Sequence, residues 1–176
     1  AASVFHCLAW GLLAARPATD TQTFSVIRPG LPAPAGEAYD ELDVPAARVF
    51  AGRRCNVYVD ALLTAPSALA EARALGEAFD ERLLPAVTAA YGAAPDPGID
   101  GEPRIYLVVS PRVSAEGKTS TLAYFARRDQ AAPDPARPST KRSNVCDALF
   151  IDARTLTEDR RPDLYAAVAH ELEHLI

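Results

Sequence analysis

The strongest constraint on the fold is a long helical pattern that stands between two short apolar runs. Apolar residues recur every three or four positions between 67 and 92, as on one face of a helix: Leu69, Ala72, Leu75, Phe79, Leu83, Val87 and Ala90. Ser67 is the predicted N-cap and Gly92 the predicted stop. Pro85 should kink this helix, because proline removes an amide donor and crowds the preceding turn.

The segments on either side of this helix have the composition of strands. The run CNVYVD precedes it, and the continuous apolar run RIYLVVS follows it, which is typical of a strand buried on both faces. A strand, a long helix and a second strand predict a crossover unit. With the later segments TSTLAYFAR and ALFIDA, we predict strands near 54–60, 104–109, 121–126 and 148–152.

The first residues predict a separate region. Residues 1–35 combine the β-like run TFSVIRPG with a proline-rich break, so we expect an N-terminal β segment and a linker there. The opening AASVFHCLAWGLLAARPA resembles the end of a secretory signal, with a buried strand as the alternative. Because Met is absent from the chain, we expect a processed protein or a part of a longer one.

Composition excludes several classes of function. The net charge of -5 comes without a basic stripe, so nucleic acid is not an expected partner. No stretch approaches the roughly 18 to 20 apolar residues that a membrane span needs. Cys7, Cys55 and Cys146 show no C-x-x-C pair, which argues against a cysteine-rich zinc site. One disulfide with a free thiol and three buried thiols both remain open.

The chain closes with AVAHELEHLI, inside a helix that we predict from about Pro162 to Ile176. On a helix, His170 and His174 stand about 40° apart and one turn apart in height. Glu171 lies on the same general side, and the apolar residues fall on the other: Tyr165, Val168, Leu172, Leu175 and Ile176.

This arrangement has the chemistry of a catalytic zinc site. Neutral imidazoles suit Zn²⁺, and three protein ligands leave one position for water, whose pKa the metal lowers towards 7. His170 and His174 are therefore the predicted metal ligands, and Glu171 the residue that takes the proton of the water and passes it to the leaving amine. The alternative is a polar stripe on a solvent-facing helix. Glu173 fits the zinc site less well, since zinc peptidases usually have an uncharged residue there.

The closing segment is similar to the zinc-binding helix of the zincin metallopeptidases, and residues 50–176 resemble the hyicolysin-like neutral zinc metallopeptidases. The resemblance lies in the order of CNVYVD, YGAAPDPGIDGEPRIYLVV, LAYFARRD, SNVCDALFIDA and VAHELEH. It implies an α+β, zincin-like fold with a twisted mixed sheet, a long crossover helix and a C-terminal active-site helix. Residues 36–176 would then be the N-terminal part of the catalytic domain. Glu173 departs from the glutamine that this family often has.

The expected function is that of a zinc-dependent endopeptidase, a hydrolase of protein or peptide substrates, monomeric and secreted or otherwise extracytoplasmic. Composition and resemblance indicate a bacterial source. We expect TLAYFA to be an edge strand that pairs with extended substrate backbone.

Two other functions compete. The first is a zincin-like domain that binds or supports without hydrolysing. The second is a P-loop nucleotide site built on Gly117, Lys118 and Asp152. Its phosphate cradle needs a glycine five residues before Gly117, where Arg112 stands.

We predict that the third zinc ligand lies beyond Ile176 and, by resemblance, is a glutamate on a later helix. Within the chain, Asp152 is a better candidate than His6 or Cys146, although it suits a turn or an imidazole-orienting role better. The 176 residues alone should bind zinc weakly and lack protease activity, whereas the extended chain should bind one zinc tightly. X-ray absorption that shows three protein ligands on zinc in the 176-residue chain would contradict this and point first to Asp152.

Overall fold

Six strands form one mixed sheet in the order β1-β2-β3-β4-β6-β5. The computed structural model describes residues 20–114 and 121–176. The strands are β1 (Thr21–Ile27), β2 (Glu41–Ala51), β3 (Cys55–Asp60), β4 (Ile105–Ser110), β5 (Ala123–Phe125) and β6 (Ala148–Asp152). β3, β4 and β6 are parallel, and the other pairings are antiparallel. The four predicted strands are confirmed within two residues, and so is a mixed α+β fold.

Some predictions fall on parts of the chain that the structure does not describe. These are the signal or strand in residues 1–18, with His6 and Cys7, and the Gly117-Lys118-Thr119 segment of the nucleotide-site alternative. In the described part of the connection between β4 and β6 there is β5 and a short 3-10 turn, Arg127–Gln130, but no crossover helix. Among the described helices, none is both long and apolar enough to cross a membrane.

The crossover from β3 to β4 is helical, as predicted, and comprises α1 (Pro66–Ala78), a π-helical turn (Phe79–Leu83) and α2 (Leu84–Tyr91). It ends at Gly92, whose φ of 112° suits glycine. The predicted N-cap was wrong, because Ala65 occupies that position without a side-chain bond. Pro66 fills the first turn instead, where its fixed φ is favourable and no amide donor is needed.

The helix departs from regular α-helical geometry in the turn that precedes Pro85. The amide of Leu84 donates to the carbonyl of Phe79, five residues back, so the regular α-helical ladder shifts by one residue in the turn that precedes the proline. A π-helical turn of this kind accommodates a ladder that a proline interrupts.

Both faces of the parallel strands are buried, and side chains alternate between two cores. The first core packs the helices on the sheet and includes Val57, Leu107, Leu149, Leu75, Val168 and Leu172. The second core lies on the other face and includes Phe24, Val44, Tyr58, Tyr106 and Phe150. Cys55 and Cys146 are buried in opposite cores. They therefore do not pair with each other.

The sheet curls around the second core. β1 and β5 lie at opposite edges of the strand order, yet the amide of Ile27 donates to the hydroxyl of Tyr124 at 2.8 Å. Because Tyr124 also stacks on Phe150, with ring centroids 4.9 Å apart, the curl brings the two edges together over the same apolar side chains.

A buried polar network closes the second core. Asn144 accepts from the amide of Ser25 at 2.7 Å, and donates to the Ser25 carbonyl and to Asp129, each at 2.9 Å. Arg128 forms an ion pair with Glu41 on β2. Burial raises the pKa of the Asp129 carboxyl, and the bonds from Asn144 oppose that shift. The proline-rich connection between β5 and β6 is thereby tied to β1 and β2.

The last helix, α3 (Arg161–Leu175), begins within one residue of its predicted start. Arg161 holds its first turn against α1 through two 2.7 Å bonds to the Glu71 carboxylate. The arginine also lowers the pKa of Glu71. The position of α3 on the sheet is therefore fixed at its N-terminus by an ion pair and along its length by the first core.

Replacing Asn144 with Ala should lower the free energy of unfolding by about 2–4 kcal/mol, because the change leaves the Ser25 amide and the buried Oδ2 of Asp129 without their hydrogen-bond partner. Urea unfolding monitored by circular dichroism measures the loss. The exposed Ser139 lies in the same connection and has no described side-chain partner, so Ser139→Ala should change stability by less than about 0.5 kcal/mol. Equal effects of the two substitutions would show that the network does not stabilise the fold.

Candidate metal centre

The two sides of α3 have opposite environments. The inner side chains are buried in the first core: Leu164, Val168, Leu172 and Leu175. His170 and His174 lie on the outer side and are exposed, while Glu171 is half-buried between the two environments. The predicted division of this helix into an apolar side and a polar side with both histidines is therefore present.

The imidazoles of His170 and His174 converge. Their Nε2 atoms are 3.2 Å apart, and the ring centroids are 4.7 Å apart with the planes at 81°. Two nitrogens that bind one tetrahedral zinc at roughly 2.0–2.1 Å stand about 3.3 Å apart. The pair thus fits two corners of a zinc tetrahedron. The same distance also suits an N–H···N hydrogen bond between the two rings when no metal is bound.

No group of three or more metal-ligating side chains that could hold an ion is found among the residues that the structure describes. Side chains alternate along β6: Phe150 points into the second core and Ile151 points towards α3. Asp152 lies on the same side as Phe150, so the Asp152 carboxylate faces away from the imidazoles. Both of its oxygens bind Arg154, and one accepts the Arg154 amide at 3.0 Å. Asp152 is therefore a turn residue, as the sequence suggests, and it contacts neither imidazole. Cys146 is buried in the second core, on the opposite face of the sheet from α3.

Glu171 is held by the edge of the sheet. The amide of Phe125 on β5 donates to Glu171 Oε2 at 2.9 Å. The amide of Asp152 on β6 donates to the Leu122 carbonyl, so the main-chain groups of Leu122 point towards β6. Because main-chain groups alternate in direction along an antiparallel strand, the Phe125 amide points away from β6. The second carboxylate oxygen, Oε1, has no hydrogen-bond partner among the described residues.

A groove of about 480 Å³ lies between the start of β5 and the outer side of α3. Residues 121–123 form one wall, and the other is formed by α3 side chains: Asp163, Ala166, Ala167, His170 and Glu171. The predicted edge position of TLAYFA is confirmed, since β5 is the last strand of the order. Asp163, Ala166 and Ala167 line the groove but were not predicted as site residues. The only trace of this lining in the sequence is the pair of small residues at 166 and 167.

Larger cavities lie elsewhere on the surface. Two cavities have a volume of about 630 Å³ each. Arg53 and Asp80 line part of the first, and Arg142 and Asp43 line part of the second. The acidic side chains of both cavities are already bonded. Asp80 accepts from the Arg53 amide, and Asp43 and Glu37 form ion pairs with Arg142 and Lys141. Neither cavity includes a histidine. The smaller groove is therefore the better candidate for a site.

No family model matches the sequence, and no curated protein matches it significantly. The resemblance to zincin metallopeptidases therefore depends on the motifs and on their order along the chain.

Replacing Asp152 with Asn should leave the zinc affinity of the protein unchanged, because this side chain lies on the opposite face of the sheet from His170 and His174. Stability should fall, since Asp152 is buried and paired with Arg154. Competition with a chromophoric chelator measures the affinity, and circular dichroism checks that the variant is folded. A tenfold or larger loss of zinc affinity in a folded variant would make Asp152 a ligand.

Proposed function

We propose that this protein is a zinc-dependent endopeptidase in which His170 and His174 bind the metal and Glu171 is the general acid/base. The observation that supports this most strongly is the 3.2 Å convergence of the two Nε2 atoms beside a groove that Glu171 also lines. A polar stripe on a solvent-facing helix would explain the exposure of the histidines. It would not explain why a neighbouring carboxylate bonds to an edge strand.

Zinc held by His170 and His174 would supply Lewis-acid chemistry, since it would make water acidic enough to act as a nucleophile near neutral pH. Glu171 supplies the proton transfer. Its Oε2 is fixed by the Phe125 amide, so the carboxylate is held in one orientation at the groove. Its Oε1, which has no described partner, is the atom proposed to accept the proton of water and to donate it to the leaving amine.

The β5 edge is the proposed binding surface for the substrate backbone. Ala123 and Phe125 both direct their main-chain groups away from β6 by the alternation of the antiparallel pair. An extended peptide pairs readily with such an edge, and the groove along α3 would receive alternate side chains. The proposed substrate is therefore an extended segment of a protein or peptide.

The proposal retains the remaining expectations from the sequence. These are a third protein ligand beyond residue 176, a monomeric protein, and secretion or another extracytoplasmic location in a bacterium. The mixed sheet, the helical crossover and the C-terminal position of α3 are consistent with a zincin-like fold, which we also propose.

Glu171→Gln should leave zinc bound and lower turnover by about 10²- to 10⁴-fold, the usual contribution of a positioned acid/base. The experiment uses the protein extended beyond Ile176, with cleavage of a fluorogenic peptide mixture and zinc content measured on the same samples. Retained turnover in this variant would remove Glu171 from the mechanism.

Two control variants separate the roles. His170→Ala should lose the metal itself, and activity with it. Glu173→Gln changes a neighbouring half-buried glutamate in the same way, but this residue has no described bond, so turnover should stay close to that of the parent protein. Bound zinc without cleavage of any peptide by the parent protein would instead favour the non-hydrolysing zincin-like domain.

A further inference from the structure

The charges that line the groove along α3 are acidic. Asp163 and Glu171 both line it, and among the residues that the structure describes no lysine or arginine does. Glu171 is occupied by the Phe125 amide and by its proposed role in proton transfer. Asp163 is therefore the fixed negative charge available to a bound molecule.

The Asp163 carboxylate is weakly engaged. Its side chain is 64% exposed, and its one described ion pair is with Arg160, at 3.7 Å. This distance is beyond that of a hydrogen bond, and exposed pairs of this kind contribute little. A cation on a bound peptide can therefore replace Arg160 at small cost.

The spacing between Asp163 and the histidines defines which part of a peptide would meet this charge. Seven residues of helix separate Asp163 from His170, which is about 10 Å at 1.5 Å per residue. An extended peptide covers about 3.3 Å per residue, so this length corresponds to about three residues of substrate.

The surface between these two ends of the groove is small and apolar. Ala166 and Ala167 line it with methyl groups only. Lysine and arginine side chains commonly lay their aliphatic stems along such a surface while the charged group reaches a polar partner. The groove thus combines a flat path for the stem with a carboxylate at its end.

We infer that Asp163 selects peptide substrates that carry a lysine or arginine about three residues from the cleaved bond, on one side of it. This inference rests on the proposed peptidase function and specifies its substrate class. The basic side chain lies over Ala166 and Ala167 and forms an ion pair with Asp163.

Matched peptides with Lys or Gln at each position near the cleaved bond test this in the zinc-loaded protein extended beyond Ile176. The ratio of kcat/KM for Lys over Gln peptides should be greatest about three residues from the bond. Asp163→Asn should lower that ratio about two- to fivefold, as expected for an exposed ion pair. Because the ratio is taken within one variant, a small loss of helix stability cancels.

Two further variants sharpen the test. Asp159→Asn removes the same charge from an exposed residue outside the groove, so the ratio should stay at the parent value. Arg160→Gln removes the competing cation, so the ratio should rise. Raising the salt concentration should lower the ratio for the parent protein, since exposed charges are screened.

The outcomes distinguish the two proposals. Cleavage with no preference for a basic residue, or a ratio unaffected by Asp163→Asn, would overturn this inference and leave the peptidase function in place. An equal fall in Asp159→Asn would attribute the preference to overall charge and would also overturn it. If the parent protein cleaves no peptide although zinc is bound, the peptidase function fails and the inference fails with it.

Discussion

Every other part of this structure depends on the burial of both faces of β3, β4 and β6. The side chains of these strands alternate between two cores, so each face needs its own cover. On one face α3 contributes its apolar side, and this packing turns His170 and His174 outwards. On the other face β1, β2 and the connection between β5 and β6 close the second core. The outward position of the histidine pair is thus a consequence of how the first core is covered.

The elements that sequence reasoning identified are those whose signal is local. The apolar runs of β3, β4 and β6 and the 3.6-residue pattern ending at Gly92 need no partner to be recognised, because burial is repeated along the element itself. The histidine pair also follows from helix geometry alone. Its 3.2 Å separation, however, depends on side-chain rotamers that no spacing specifies.

The features that were missed depend on contacts between distant residues. β2 contains Pro45, which argues against an interior strand, yet β2 lies between β1 and β3. The connection between β5 and β6 has the composition of an exposed loop, but Asn144 in it is buried against Ser25, 119 residues away. The groove likewise needs α3 and β5 side by side. None of these relationships leaves a periodic pattern in the sequence.

For a peptide bound at β5 as proposed, the hydrogen bond between Phe125 and Glu171 limits the register. The Phe125 amide is one of the outward donors of β5, and Glu171 already occupies it. A peptide that pairs with β5 while this bond persists must therefore use the amide and carbonyl of Ala123 and can take only the carbonyl at Phe125. The main-chain groups that point outwards from β5 recur every two residues. A peptide shifted along β5 by one residue would therefore turn its own hydrogen-bonding groups away from the strand. The bond that orients the carboxylate thus also limits the alignments in which a peptide bond can reach it.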